Sequence, residues 1–183
     1  MPLLVLTGPK HSGKTSAGHA LRDVLGGEFV DIDALVEERE GQPVRDLYRL
    51  GREVFRQAEA KALASVVAAS SPGRTVIVAA GGGLIDNEAA VKMLTENSLA
   101  VIFYLDVAAC TAWNRIAQAA RNGEGLPAFL DTENPMADHA ALHGRRSAAY
   151  KKLARYTVDA EGKTPAQIAA QIAAHYAELP ASQ

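Results

Sequence analysis

The plainest chemistry in this chain lies in one run, Gly8-Pro9-Lys10-His11-Ser12-Gly13-Lys14-Thr15. A glycine, four residues and then Gly-Lys-Thr make a loop whose backbone N–H groups can wrap phosphate oxygens with no bulky side chains in the way. Lys14 can reach the outer phosphates of a nucleotide, the Thr15 hydroxyl can bind Mg²⁺, and Ser16 extends the same turn. The apolar run Leu3-Leu4-Val5-Leu6 before the loop reads as a short buried strand. The apolar positions Ala17, Ala20, Leu21, Val24 and Leu25 after it recur with helical spacing. A helix that starts at the end of such a loop adds partial positive charge toward an anion. The strand–loop–helix context therefore points to nucleotide phosphate rather than to a plain glycine-rich turn.

Three further groups lie downstream. Asp31-Ile32-Asp33 follows a second strand, and carboxylates two residues apart at a strand end point the same way. One can hold Mg²⁺, directly or through water, and the other can take a hydrogen bond or a proton from a substrate hydroxyl. The plainer reading makes Asp33 the N-cap of the helix that follows. Gly81-Gly82-Gly83 follows a third strand, where three glycines suit a close approach of backbone to a ligand, or else a flexible turn. Arg56 and Arg146 lie in helical patterns and, taken singly, read as solvated charges. His139 and His143 have a spacing that can bind metal, but with no third ligand in view they read as a solvated helix face. Cys110, Tyr104 and Trp113 read as core residues.

The elements that must position these residues alternate. Strands are expected at Leu3–Thr7, 29–31, 75–79, 99–105 and 156–158. Helices are expected at Lys14–Leu25, 33–40, Arg52–Ala69, Glu88–Glu96, 108–120, 138–153 and Pro165–Ala177, the last opened by Thr164 and Pro165. Near-continuous apolar strands suggest burial on both faces, so the fold class is an α/β three-layer sandwich with a central parallel sheet of about five strands. Residues 121–135 carry turn formers and little periodicity, which fits a lid. Ligands of such sheets bind outside the carboxyl ends of the strands.

Composition narrows the rest. At 183 residues the chain reads as one domain, 1–183, and its 48% hydrophobic and 22% charged residues are ordinary for a globular protein. A net charge of −2 suggests neither nucleic acid nor an anionic membrane as partner. The single cysteine rules out an internal disulfide framework and fits a reducing compartment, and no apolar run reaches membrane-spanning length. With no basic region before the first strand, no signal peptide is expected, and the chain is expected to be a cytoplasmic monomer acting on a small molecule.

In order, the phosphate loop, Phe29-Val30-Asp31-Ile32-Asp33, Phe55-Arg56-x-x-Glu59, Gly81-Gly82-Gly83 and Arg146-x-x-x-Tyr150 resemble the shikimate kinase family, small kinases of the P-loop type. The resemblance runs over about residues 3–175. It implies ATP and Mg²⁺ as cofactors and phosphorylation of the 3-hydroxyl of shikimate. It implies that Lys14 contacts the outer phosphates, that Thr15 and Asp31 serve the metal, and that Asp33 binds substrate hydroxyls and acts as base. It further implies that Arg56 and Arg146 grip the carboxylate, that Gly81, Gly82 and Gly83 lie against the ring, that Glu59 supports Arg56, and that Arg115 contacts the nucleotide. The acceptor region would span about 32–70 and the lid about 121–137. This chain has His11 where the family usually has glycine. It has Leu126-Pro127-Ala128 where the family's lid usually has Arg-Pro-Leu, so Arg121 is expected to supply the lid's positive charge. Two alternatives stand beside this reading: a related kinase for another hydroxylated carboxylate, and a nucleotide-binding relative with weakened catalysis.

Overall fold

Apolar runs too short for helices pair into a sheet. Among the described residues there are five strands, β1 (Leu3–Thr7), β2 (Glu28–Asp31), β3 (Val76–Ala79), β4 (Ala100–Asp106) and β5 (Tyr156–Asp159). They are all parallel, in the order β2-β3-β1-β4-β5. The structure is a computed structural model that describes residues 3–70 and 73–179, so both ends of the 1–183 assignment lie outside the described residues.

Period-two alternation sends neighbouring side chains of β1 to opposite faces. Leu3 and Val5 pack with Ile32, Val36, Leu63 and Leu94 on one side. Leu4 and Leu6 pack with Ala17, Leu21, Ala112 and Ile168 on the other. The first layer is formed by α2 (Ile32–Glu40), α3 (Val44–Leu50), α4 (Arg52–Ala69) and α5 (Glu88–Glu96). The second is formed by α1 (Lys14–Leu25), α6 (Ala109–Ala119) and α8 (Pro165–Ala177). Helix α7 (Pro135–Leu153) runs beside β4, with Tyr150 stacked on Tyr104 at 5.5 Å. Leu4 and Leu6 are fully buried, so truncating either to Ala would cost about 2–5 kcal/mol.

The chain leaves β1 for one layer and β3, the neighbouring strand, for the other. The crevice between the loops that follow these two strands is thus where a ligand is expected.

Within the helices, the structure departs from the sequence expectations at α3, at the start of α7 and in the burial of Cys110 and His139. Helix α3 was not anticipated. Its seven residues are too few to show a period, and it is held by burial of Leu47 and by Glu37 Oε1 accepting from the Val44 N–H at 2.9 Å. Helix α7 begins at Pro135 rather than 138, with Asn134 as its N-cap. Cys110 is exposed, not core: it lies two residues, about 200° of helix, from the inward-facing Ala112. His139 is buried rather than solvated, because its ring packs 5.7 Å from both Trp113 and His143.

Candidate active site

The loop after β1 is shaped by backbone conformation. Gly13 has φ +96° and His11 has φ +59°. Histidine tolerates this left-handed region better than most side chains, so His11 keeps the turn that a glycine would make. The His11 carbonyl accepts from Arg115 Nη1 at 2.9 Å, which ties the loop to α6. Burial, then the charge of Lys10, lowers the His11 pKa. Lys14 Nζ donates to the carbonyls of Pro9 at 2.8 Å and Gly8 at 3.1 Å, and burial brings its pKa down to about 8.

Asp31 serves two neighbours. Its Oδ1 accepts from the N–H groups of Asp33 at 3.0 Å and Ala34 at 3.3 Å, so Asp31, not Asp33, caps α2. Its Oδ2 accepts from Thr15 Oγ1 at 2.7 Å. A hydroxyl and a carboxylate side by side form a hard oxygen pair that fits Mg²⁺. Among the described residues no group of three or more His, Cys, Asp or Glu is arranged to hold a metal ion. A metal at Thr15 and Asp31 would therefore draw its other ligands from phosphate and water, as Mg²⁺ does.

Freed from capping, Asp33 lines the cleft. Its Oδ1 and Glu59 Oε1 are buried without a hydrogen-bond partner. A Cβ built on Gly81 would lie 2.9 Å from the first and 2.8 Å from the second, so a side chain there would have to displace both carboxylates. Burial, then the Asp31 charge, raises the Asp33 pKa. Burial also pushes Glu59 up to about 7, against a lowering hydrogen bond from Asn87. That bond, Asn87 Nδ2 to Glu59 Oε2 at 2.8 Å, shows that Glu59 braces Asn87 rather than the Arg56 guanidinium, which acts on it only as a nearby charge.

Arg146 reaches in from α7. Its Nε and Nη2 donate to Asp86 Oδ2 at 2.9 and 2.7 Å, and its Nη1 donates to the Gly82 carbonyl at 3.1 Å. Burial disfavours the Asp86 charge, but hydrogen bonds from Arg145 and Arg146 outweigh it and hold the Asp86 pKa low. Asp86 was not singled out in the sequence. Its one signal there is a carboxylate three residues past a glycine run.

One cleft of about 730 Å³ joins these parts: Lys14, Thr15, Asp31, Asp33, Gly81 and Arg146 all line it. Lys10, His11, Gly13, Ser16, Gly82, Gly83 and Arg115 also line it. The two loops meet: a Cβ on Gly82 would lie 2.9 Å from the Lys10 nitrogen. Gly8 and Ser12 shape the loop from behind, and Pro9 faces a small neighbouring cavity. Arg56 faces an adjoining cavity of about 610 Å³ that shares Gly83, Phe129 and Arg146 with the cleft. Arg121 is not brought to the cleft. It is exposed on a wide turn, Ala120–Glu124, that carries α6 outward.

A family model described as Shikimate kinase matches residues 10–177. The chain belongs to the shikimate kinase family. A shikimate kinase from Thermobifida fusca is 38% identical, with 99% of this chain and 96% of the relative covered. One from Salinispora arenicola is 35% identical, with 94% and 96% covered. In fold, the chain is similar to shikimate kinase from Acinetobacter baumannii solved in complex with shikimate, with a TM-score of 0.83 at 24% identity and coverage of 98% and 96%. Membership of the shikimate kinase family makes the chain a phosphotransferase with a P-loop nucleotide site, on the three-layer fold expected from its strands.

Proposed function

We propose that the chain transfers the γ-phosphoryl group of ATP, with Mg²⁺, to the 3-hydroxyl of shikimate. One observation carries this reading: a single cleft is lined by a phosphate loop together with a carboxylate, a glycine loop and a braced arginine. The loop amides and the N-terminus of α1 bind the nucleotide phosphates. Lys14 exchanges the Gly8 and Pro9 carbonyls for the outer phosphate oxygens, whose charge favours its protonated form. Thr15 and Asp31 would hold Mg²⁺, which when bound screens the charge of the phosphates. Arg115 serves the nucleotide side.

Asp33 takes the proton of the acceptor hydroxyl, and its raised pKa makes it a stronger base than an ordinary aspartate. Arg146, preset by Asp86 and the Gly82 carbonyl, meets the acceptor carboxylate, and Arg56 approaches it from the adjoining cavity. Gly81, Gly82 and Gly83 let the ring lie against backbone. In this reading residues 32–70 form the acceptor region and residues 121–137 the lid, and the protein works as a cytoplasmic monomer. No described helix is long and apolar enough to cross a membrane.

The test is ADP release by purified protein with Mg²⁺-ATP, with and without shikimate. Release that depends on shikimate is expected. Intact ATP binding with no stimulation by shikimate overturns the reading.

A further inference from the structure

Phosphoryl transfer gathers negative charge on the group in flight, and an arginine placed against it can be worth several orders of magnitude in rate. The cations that line the cleft are Lys10, Lys14, Arg45, Arg115 and Arg146. Lys14 is held on the phosphate-loop carbonyls, and Arg115 is tied to the His11 carbonyl on the nucleotide side. Arg146 is committed to Asp86 and the Gly82 carbonyl on the acceptor side. Lys10 belongs to the phosphate loop itself and adds charge where Lys14 already stands.

Arg45 differs from all four. It stands in the first turn of α3, between Val44 and Tyr48, which line the cleft with it. From that wall it crosses to the opposite loop, where its Nη1 donates to the Glu124 carbonyl at 3.2 Å. Gly125 makes room for it: a Cβ there would lie 2.7 Å from the same nitrogen. The loop wall it meets, Gly125-Leu126-Pro127-Ala128-Phe129, brings no cation of its own to the cleft. A guanidinium has five donors, and this contact occupies one of them with a neutral acceptor.

We propose that Arg45 is a catalytic residue, whose guanidinium donates hydrogen bonds to the oxygens of the transferring phosphoryl group. This rests on the kinase reading above. The acceptor oxygen forms its bond to the γ-phosphorus as the bond from that phosphorus to the β–γ bridging oxygen breaks. The hydroxyl proton passes to Asp33, and Arg45 keeps all its protons. Because Arg45 bridges the acceptor wall and the 124–125 loop, its charge is in place only when the two are together, so transfer is coupled to closure.

The experiment compares Arg45→Ala, Arg45→Lys and Arg121→Ala with the wild type, by steady-state kinetics in ATP and shikimate and by thermal melting. For Arg45→Ala the expected result is a fall in kcat of about 100-fold or more, with both KM values within about threefold and an unchanged melting temperature. Lysine lacks the fork and is expected to restore less than a tenth of the rate, whereas added guanidinium restores part of the Arg45→Ala activity. The proposal is overturned if Arg45→Ala keeps kcat within twofold of the wild type. It is equally overturned if the loss falls only in a KM, or if Arg121→Ala shows the kcat loss in its place. A wild type that turns over shikimate while Arg45→Ala does the same defeats this inference alone. A wild type that does not turn over shikimate defeats the kinase reading, and this inference with it.

Discussion

The two ends of the cleft are built in different ways. At the nucleotide end, consecutive residues do most of the work, with Asp31 and Arg115 added from β2 and α6, and much of the chemistry is backbone: loop amides, loop carbonyls on Lys14, and one left-handed turn at His11. At the acceptor end nothing is local. Asp33 comes from α2, the glycine loop follows β3, and Arg146 comes from α7. These residues are held by a partly buried polar network of Asn87, Glu59, Asp86 and Arg145. The difference teaches that a local backbone site fails one residue at a time, whereas an assembled site couples binding to the folding energy of its braces.

Four substitutions sharpen or break that comparison. Lys14→Ala should have the largest effect, a fall in kcat of about 10²- to 10³-fold with shikimate affinity unchanged in a calorimetric titration. A matching loss of shikimate affinity would show that the two ends are not separable. Asp33→Asn should slow turnover by about 100-fold. Its melting temperature should hold or rise, because it removes a buried charged oxygen that lacks a partner. Arg146→Ala should raise the KM for shikimate about 10- to 100-fold while the KM for ATP stays put. Asp86→Asn, which leaves the guanidinium but loosens it, should raise the same constant by less. If the two variants affect the ATP constant equally, the clamp is not confined to the acceptor end.

The remaining effect is on stability rather than turnover, and concerns pH. Glu59 is fully buried, and its pKa stands at about 7 against an ordinary 4.5. Between those values the folded state holds a proton that the unfolded chain has released, so this group makes the protein lose stability as pH rises through that window. Glutamine needs no proton. Glu59→Gln should therefore be more stable than the wild type by up to about 3 kcal/mol near pH 8, with the gap closing near pH 4.5, as read from urea unfolding. A gap that does not change with pH would remove Glu59 from the braces that carry a titration cost.

The parts legible in the sequence were those governed by neighbours along the chain. Strands β3 and β4 read correctly because residues such as Val78 and Phe103 are buried on a two-sided sheet and need no alternation. The cap at Thr164 was legible because Thr, Pro and Gln at fixed offsets complete a local box. Asn134-Pro135 carries part of the same signal, yet the turn formers around it hid the start of α7. The roles of Asp31 and Asp33 could not be separated from spacing alone. Which carboxylate caps α2 depends on Thr15, sixteen residues away, drawing on the other oxygen of Asp31.

The sequence by itself determined the phosphate loop, the parallel sheet and the order of the chemical groups along the chain, because each follows from local backbone preference or from an unbroken apolar run. Tertiary structure alone decided that Asp86 braces Arg146 and that Glu59 holds Asn87. It also turned Arg56 to a neighbouring cavity, left Arg121 outside the cleft and brought Arg45 into it. Those outcomes depend on side chains that meet across many residues of chain, and on how much water each loses in doing so. Neither is encoded at a single position.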